Sequence, residues 1–207
     1  MPAPNAIASD KLARLIGTAR APVILDVRSD ADVAADPRLL PGAIRADDRA
    51  LADLPPLPPG AVVAVCQEGH RRSQGAAAWL RAQGRPAEVL DGGFAAWRDA
   101  GLPLVDPARL PPRDRQGRTV WVTRARPKID RIACPWLIRR FVDPRAVILF
   151  VAPAEVSGVA ERHEAAPFDI DAVRAVLPYV SILAMNAGEA EELFAAIDSM
   201  PMRQDEM

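Results

Sequence analysis

An α/β fold with an open, mostly parallel sheet flanked by helices is what the sequence predicts for its first half, followed by a second, smaller α/β unit. Three observations carry that prediction. VILDV (23–27) and AVVAVC (61–66) are continuous apolar runs, the pattern of parallel strands covered on both faces. A third run, AEVL (87–90), follows a small-residue segment between Ser73 and Gln83 that Gly84 is placed to close, which reads as a helix. Strand, helix, strand implies right-handed crossovers and hence an α/β sheet.

The remaining elements follow in chain order. Ser9 is placed to cap a short helix in which Leu12, Leu15 and Ile16 share one face, with Gly17 at its end. LDGGFAAW (90–97) opens another helix that closes the first unit. Residues 103–118 are rich in Pro and Arg and carry no hydrophobic period, so 106–118 reads as a linker between a unit spanning 1–105 and one spanning 119–207. In the second unit TVWVT (119–123) and AVILFV (146–151) read as strands. They bracket IDRIACPWLIRRF, where Pro135 is expected to kink a helix or start it anew. An amphipathic helix is expected around residues 189–200.

Composition narrows the function classes. With 207 residues, half of them hydrophobic, the chain has material for one full core and a smaller one. The net charge of −1 argues against a nucleic-acid partner for the whole protein. Within the second half, residues 108–145 hold eleven Arg or Lys against three Asp, while 146–207 hold three Arg against eleven Asp or Glu. These blocks are expected to neutralise each other. Lysine occurs only at 11 and 128 amid abundant Arg, Ala and Pro, a bacterial composition. No apolar run nears the roughly 20 residues of a membrane span, and the N-terminus lacks the pattern of an export signal, so a cytoplasmic protein with no membrane partner is expected. Cys66 and Cys134 form no C-x-x-C pair, and the two histidines lie far apart, so neither a disulfide framework nor a metal site is implied.

Chemistry concentrates at Cys66. A side chain at the C-terminal end of a parallel strand, just before a helix, sits where ligands bind in open α/β sheets. There the loop N–H groups and the helix N-terminus favour an anion, and nearby cations favour a thiolate. Gln67, Glu68, Gly69, His70, Arg71, Arg72 and Ser73 form that segment, with the arginines as cations and Glu68 opposing them.

LDVRS (25–29), PGAI (41–44), CQEGHRRSQGAAAWL (66–80) and LDGGFAAW (90–97) together resemble, in order and spacing, a single rhodanese domain over about residues 7–105. The resemblance implies the rhodanese-like open sheet and a sulfurtransferase whose cysteine, here Cys66, becomes a persulfide cradled by the N–H groups of residues 67–72. It also gives Asp26 and Arg28 the part of a buried polar support. No cofactor is implied; the partners would be a small-molecule sulfur donor, such as thiosulfate, and a thiophilic acceptor. One departure matters. The common pattern resembles C-x-x-G-x-R-S, whereas Ser73 comes seven positions after Cys66 and creates C-x5-R-S, the phosphate-cradle spacing of cysteine phosphatases, which rhodanese-fold phosphatases and arsenate reductases resemble. A phosphatase-like or arsenate-reductase-like oxyanion site is therefore the alternative at the same cysteine.

Residues 119–156, with Trp121, Lys128, Asp130, Arg131, Cys134, Pro135, Trp136 and Arg139, resemble the C-terminal domain of the chromate-resistance regulator family. The match continues to about residue 170 and stops after Asp171, so the second unit reads as a shortened form. This resemblance implies a link to chromate or oxyanion stress. Arg124, Lys128 and Arg131 would suit an anion site, because guanidinium forks match oxyanions. A third reading is a non-enzymatic, oxyanion-responsive regulator. Cys134 and Trp136 are expected in the core, and Trp121, Trp136, Phe141 and Phe194 are expected to find cover from the first unit or from a second copy in a homodimer.

Overall fold

The computed structural model describes residues 5–125 and 129–168. Five parallel strands form the first sheet: β1 (Ala6–Ile7), β2 (Val23–Asp26), β3 (Ile44–Arg45), β4 (Val62–Val65) and β5 (Ala87–Leu90), in the order β1-β5-β4-β2-β3. All four residues of β2 and of β4 are buried, as continuous apolar runs in a sheet covered on both faces must be. Helices α1 (Ser9–Leu15), α3 (Arg71–Ala82) and α4 (Gly93–Asp99) supply that cover, while α2 (Asp30–Ala35) lies between β2 and β3 in the chain. From β2 the chain moves outward to β3, and from β4 it moves the other way to β5. The crevice beyond the C-terminal ends of β2 and β4 is thus the topological switch point of the sheet, where ligands bind in folds of this class.

Four elements of this half differ from the sequence-based expectation. Ser9 is the first helical residue of α1 rather than its cap; Ala8 precedes it and makes no side-chain bond. Helix α2 has no buried residue and no apolar period; it starts because Ser29 and Asp32 form a reciprocal capping box. Strands β1 and β3, two residues each, exist through their pairing with β5 and β2.

The second half builds a parallel three-stranded sheet, β7-β6-β8, from β6 (Val120–Arg124), β7 (Val147–Val151) and β8 (Ala166–Pro167). Helix α6 (Val156–His163) covers one face through Val156, Val159 and Ala160. Helix α5 (Ile129–Leu137) contains Pro135 in its interior and widens into a π-helical turn, Ile138–Val142. Pro135 neither ends α5 nor starts a new helix, so the expected break becomes a change of helical pitch three residues later. The amphipathic helix expected around 189–200, and Phe194 with it, lies outside the described residues.

Among the described residues, the other face of the second sheet shares its core with the first half. Trp121, Cys134, Ile138, Phe141, Val142 and Phe168 join Ile7, Leu12, Ile16, Leu40, Phe94 and Trp97 in one buried cluster. Phe141 seats against Gly17, where a Cβ would stand 2.7 Å from the ring; Gly42 N–H donates to Phe141 O at 2.8 Å, and Arg140 Nη1 donates to Thr18 O. The cover anticipated for Trp121, Trp136 and Phe141 comes from the first half of the same chain.

Residues 106–118 are likewise tied down rather than a free tether. Leu110 packs on the shared cluster, and Arg113 bridges to Thr119 and donates to Asp143. Buried Asp143 also accepts from Thr119 N and Thr119 Oγ1 at Oδ2 and from Arg145 N at Oδ1, so both oxygens of this interior carboxylate are hydrogen-bonded.

Candidate active site

Cys66 follows β4 directly at the switch point and is 5% exposed. Its carbonyl accepts from Phe94 N–H and that of Gln67 from Ala95 N–H, both at 2.9 Å. The Cys loop is therefore stitched through its carbonyls to the first turn of α4. Its N–H groups are left over: those of Gln67, Glu68, Gly69 and His70 find no acceptor among the described residues. Those of Arg71, Arg72 and Ser73 open α3, whose first intrahelical bond is Gln74 N–H to His70 O. A run of seven successive donors beside one sulfur is a ready anion receptor.

Glycines make this approach possible. Gly69 (φ +75) and Gly93 (φ +62) lie in the left-handed region, and a Cβ on Gly93 would stand 2.3 Å from Cys66 O and 2.5 Å from Gly69 N. The LDGGF motif is thus the mould against which the Cys loop is cast.

Ser73, fully buried, places Oγ 3.1 Å from Cys66 Sγ and 3.2 Å from His70 O, to which it donates. With its single hydrogen on His70 O, the hydroxyl accepts from the thiol; when Cys66 ionises, the same hydrogen turns to the sulfur. Arg71, Glu68 and His70 are exposed at the mouth, with His70 Nε2 4.0 Å from Glu68 Oε2. Gln67 Oε1 is buried and has no partner.

Asp26 and Arg28 form a buried ion pair behind the loop, with side chains 1% and 0% exposed. Arg28 Nε donates to both Asp26 oxygens, Nη1 to Asp36 O and Nη2 to Arg38 O, while its guanidinium carbon lies 3.8 Å from the Phe94 ring centroid. The pair therefore connects LDVRS to LDGGF. Beside it, the Ser29 hydroxyl bond holds the Asp32 carboxyl below its ordinary range, and the hydrogen bond from the Arg38 side chain does the same for Asp36.

Helix α3 begins at Arg71, so Arg72 and Ser73 stand in its first turn. Arg72 Nη1 is hydrogen-bonded to Asp48 Oδ1, and its side chain lines a polar cleft of about 360 Å³ with Arg28, Ser29, Arg45 and Arg49. Asp48 carries no signal in the sequence, since its partner is 24 residues away. In the second half, Arg124 is exposed at the end of β6. Lys128 and the Arg131 side chain lie outside the described residues. Cys134 is fully buried in the shared cluster, as expected of a core residue. Among the described residues no group of His, Cys, Asp and Glu could hold a metal, and no helix is long and apolar enough to cross a membrane.

Comparison with known families decides the assignment. Residues 8–100 match the rhodanese-like domain and residues 121–176 the ChrB C-terminal domain. The chain joins a rhodanese-like domain to a ChrB C-terminal domain. Over 43 residues it is 51% identical to the protein ChrB of Cupriavidus metallidurans, a stretch that covers 21% of this chain and 13% of that protein. Among solved structures, the rhodanese-like half is similar to a thiosulfate sulfurtransferase from Pseudomonas aeruginosa (30% identity, 51% of this chain and 20% of that one, TM-score 0.44). It is also similar to a protein of unknown function, possible tyrosine phosphatase, from Rhodopseudomonas palustris (27% identity, 48% and 83%, TM-score 0.42).

Proposed function

We propose that the protein is a sulfurtransferase that carries sulfane sulfur on Cys66. The observation that carries this reading is the row of N–H donors after Cys66 that find no acceptor among the described residues, on a loop fixed through its carbonyls to α4. In the reaction the Cys66 thiolate attacks the outer sulfur of a donor such as thiosulfate. The donor S–S bond breaks, sulfite leaves with the electron pair, and the terminal sulfur of the persulfide takes its negative charge into the N–H cradle. A thiophilic acceptor such as cyanide then takes that sulfur and returns the thiolate, so no net oxidant or reductant is consumed.

The alternative phosphatase-like reading would use Arg72 at the equatorial oxygens, and Arg72 is engaged with Asp48 instead. We read the fusion to a ChrB C-terminal domain as serving chromate or other oxyanion stress, on the family match of that half. A reducing, cytoplasmic setting suits a protein that works through one thiol.

Steady-state turnover tests this directly. The protein is expected to convert thiosulfate and cyanide to thiocyanate and to leave an aryl phosphate ester untouched. Arg71→Ala, which removes an exposed cation at the mouth, is expected to raise KM for thiosulfate about threefold to tenfold with little change in kcat, as loss of a screened charge contact should. Hydrolysis of the ester without thiocyanate formation would overturn the sulfur reading.

A further inference from the structure

We propose that Asp48 sets the specificity of the Cys66 loop by holding Arg72 away from it, so that the loop accepts a single sulfur atom and disfavours a tetrahedral oxyanion such as phosphate or arsenate. This deepens the reading of Cys66 as a sulfur carrier and rests on it. Arg72 occupies the position, six residues after the cysteine and within the first turn of α3, from which a guanidinium could close over an oxyanion seated on the loop N–H groups. It is instead hydrogen-bonded to Asp48, with the two side chains 34% and 21% exposed. Such a half-buried, charge-assisted pair is screened less than a surface one.

Asp48 is itself held in place. Asp47 Oδ1 accepts from Arg49 N at 3.0 Å and Asp47 O from Ala50 N at 3.1 Å, a turn that presents Asp48 toward α3. With Arg72 committed there, the mouth of the loop retains Arg71 as its exposed arginine, opposed by Glu68. The Arg72 fork is then not available to equatorial oxygens. Asp48 thus acts as a positioning residue through Arg72, and releasing the guanidinium should recreate an oxyanion cradle.

The experiment is protection of Cys66 from iodoacetamide by inorganic phosphate and by arsenate, at constant ionic strength, with the alkylated cysteine located by mass. In Asp48→Ala the concentration giving half-protection is expected to fall about tenfold, the worth of one charge-assisted hydrogen bond. Asp48→Asn, which keeps the volume and removes the charge, should shift in the same direction and serves if the alanine variant folds poorly. Asp48→Glu, which keeps the carboxylate, should stay near the native value, and Asp48→Ala combined with Arg72→Ala should lose the gain. Unchanged protection in both neutral variants, a gain in Asp48→Glu as large as in Asp48→Ala, or a gain that survives removal of Arg72 would overturn the proposal. Because alkylation needs a reactive thiol and not sulfur transfer, its outcome is independent of whether Cys66 forms a persulfide.

Discussion

Gly93→Ala is expected to cost the protein nearly all of its sulfur transfer although it adds one methyl group and touches no reacting atom. Gly93 adopts φ +62, where an L side chain is strained by about 1–2 kcal/mol. The larger penalty is steric. The added carbon would stand 2.3 Å from Cys66 O, 2.5 Å from Gly69 N and 2.8 Å from Glu68 N, all backbone atoms that cannot rotate aside. The Cys loop must retreat from α4 by on the order of 1 Å, and a displacement of that size at a reacting group costs about a hundredfold in rate. Retreat also strains the Phe94 and Ala95 N–H bonds to the loop, so a loss of about 2–4 kcal/mol in stability is expected. Thiocyanate kinetics beside urea unfolding checks both effects. Turnover within threefold of native in a folded variant would show that the loop does not depend on this contact.

Phe141→Ala should be the most damaging core substitution in the second half. The ring is 2% exposed, sits on Gly17 and meets Trp136 edge-on at 5.9 Å between centroids. Removing it leaves a cavity in the cluster both halves share, at a cost of about 3–5 kcal/mol. Since Leu12, Ile16 and Leu40 of the rhodanese-like half line that cluster, the two halves are expected to lose stability together. Urea unfolding followed by tryptophan fluorescence and by Cys66 accessibility should give coincident transitions in native and variant proteins. Separate transitions, with only one shifted by the substitution, would mean two independent cores. The same packing predicts that a fragment ending near Val105 exposes part of its interior, contrary to what the Pro- and Arg-rich composition of 106–118 suggests.

What could be read in advance was what local pattern encodes. The apolar runs of β2, β4 and β5, the helix after Cys66 and the LDGGF turn each declare themselves within a few residues. Helix α2 did not, because its start is a capping box on a polar segment and its face is solvated. Nor did β1 and β3, since two residues hold no period and pairing partners are distant in sequence. At the site, the Cys loop was visible, whereas the fate of Arg72 was not. Spacing alone aims it at an oxyanion; its ion pair with Asp48, from the turn after β3, has no local signature. The shared core was hidden for a related reason: the apolar residues of α5 and its π-helical turn declare that they need cover without saying which surface provides it.

Whether Cys66 carries sulfur can be read from the mass of the intact protein. After exposure to thiosulfate and removal of excess donor, a gain of one sulfur atom is expected, located on the peptide containing Cys66, discharged by cyanide and absent in Cys66→Ala. An unchanged mass, or a sulfur that persists in Cys66→Ala, would contradict it.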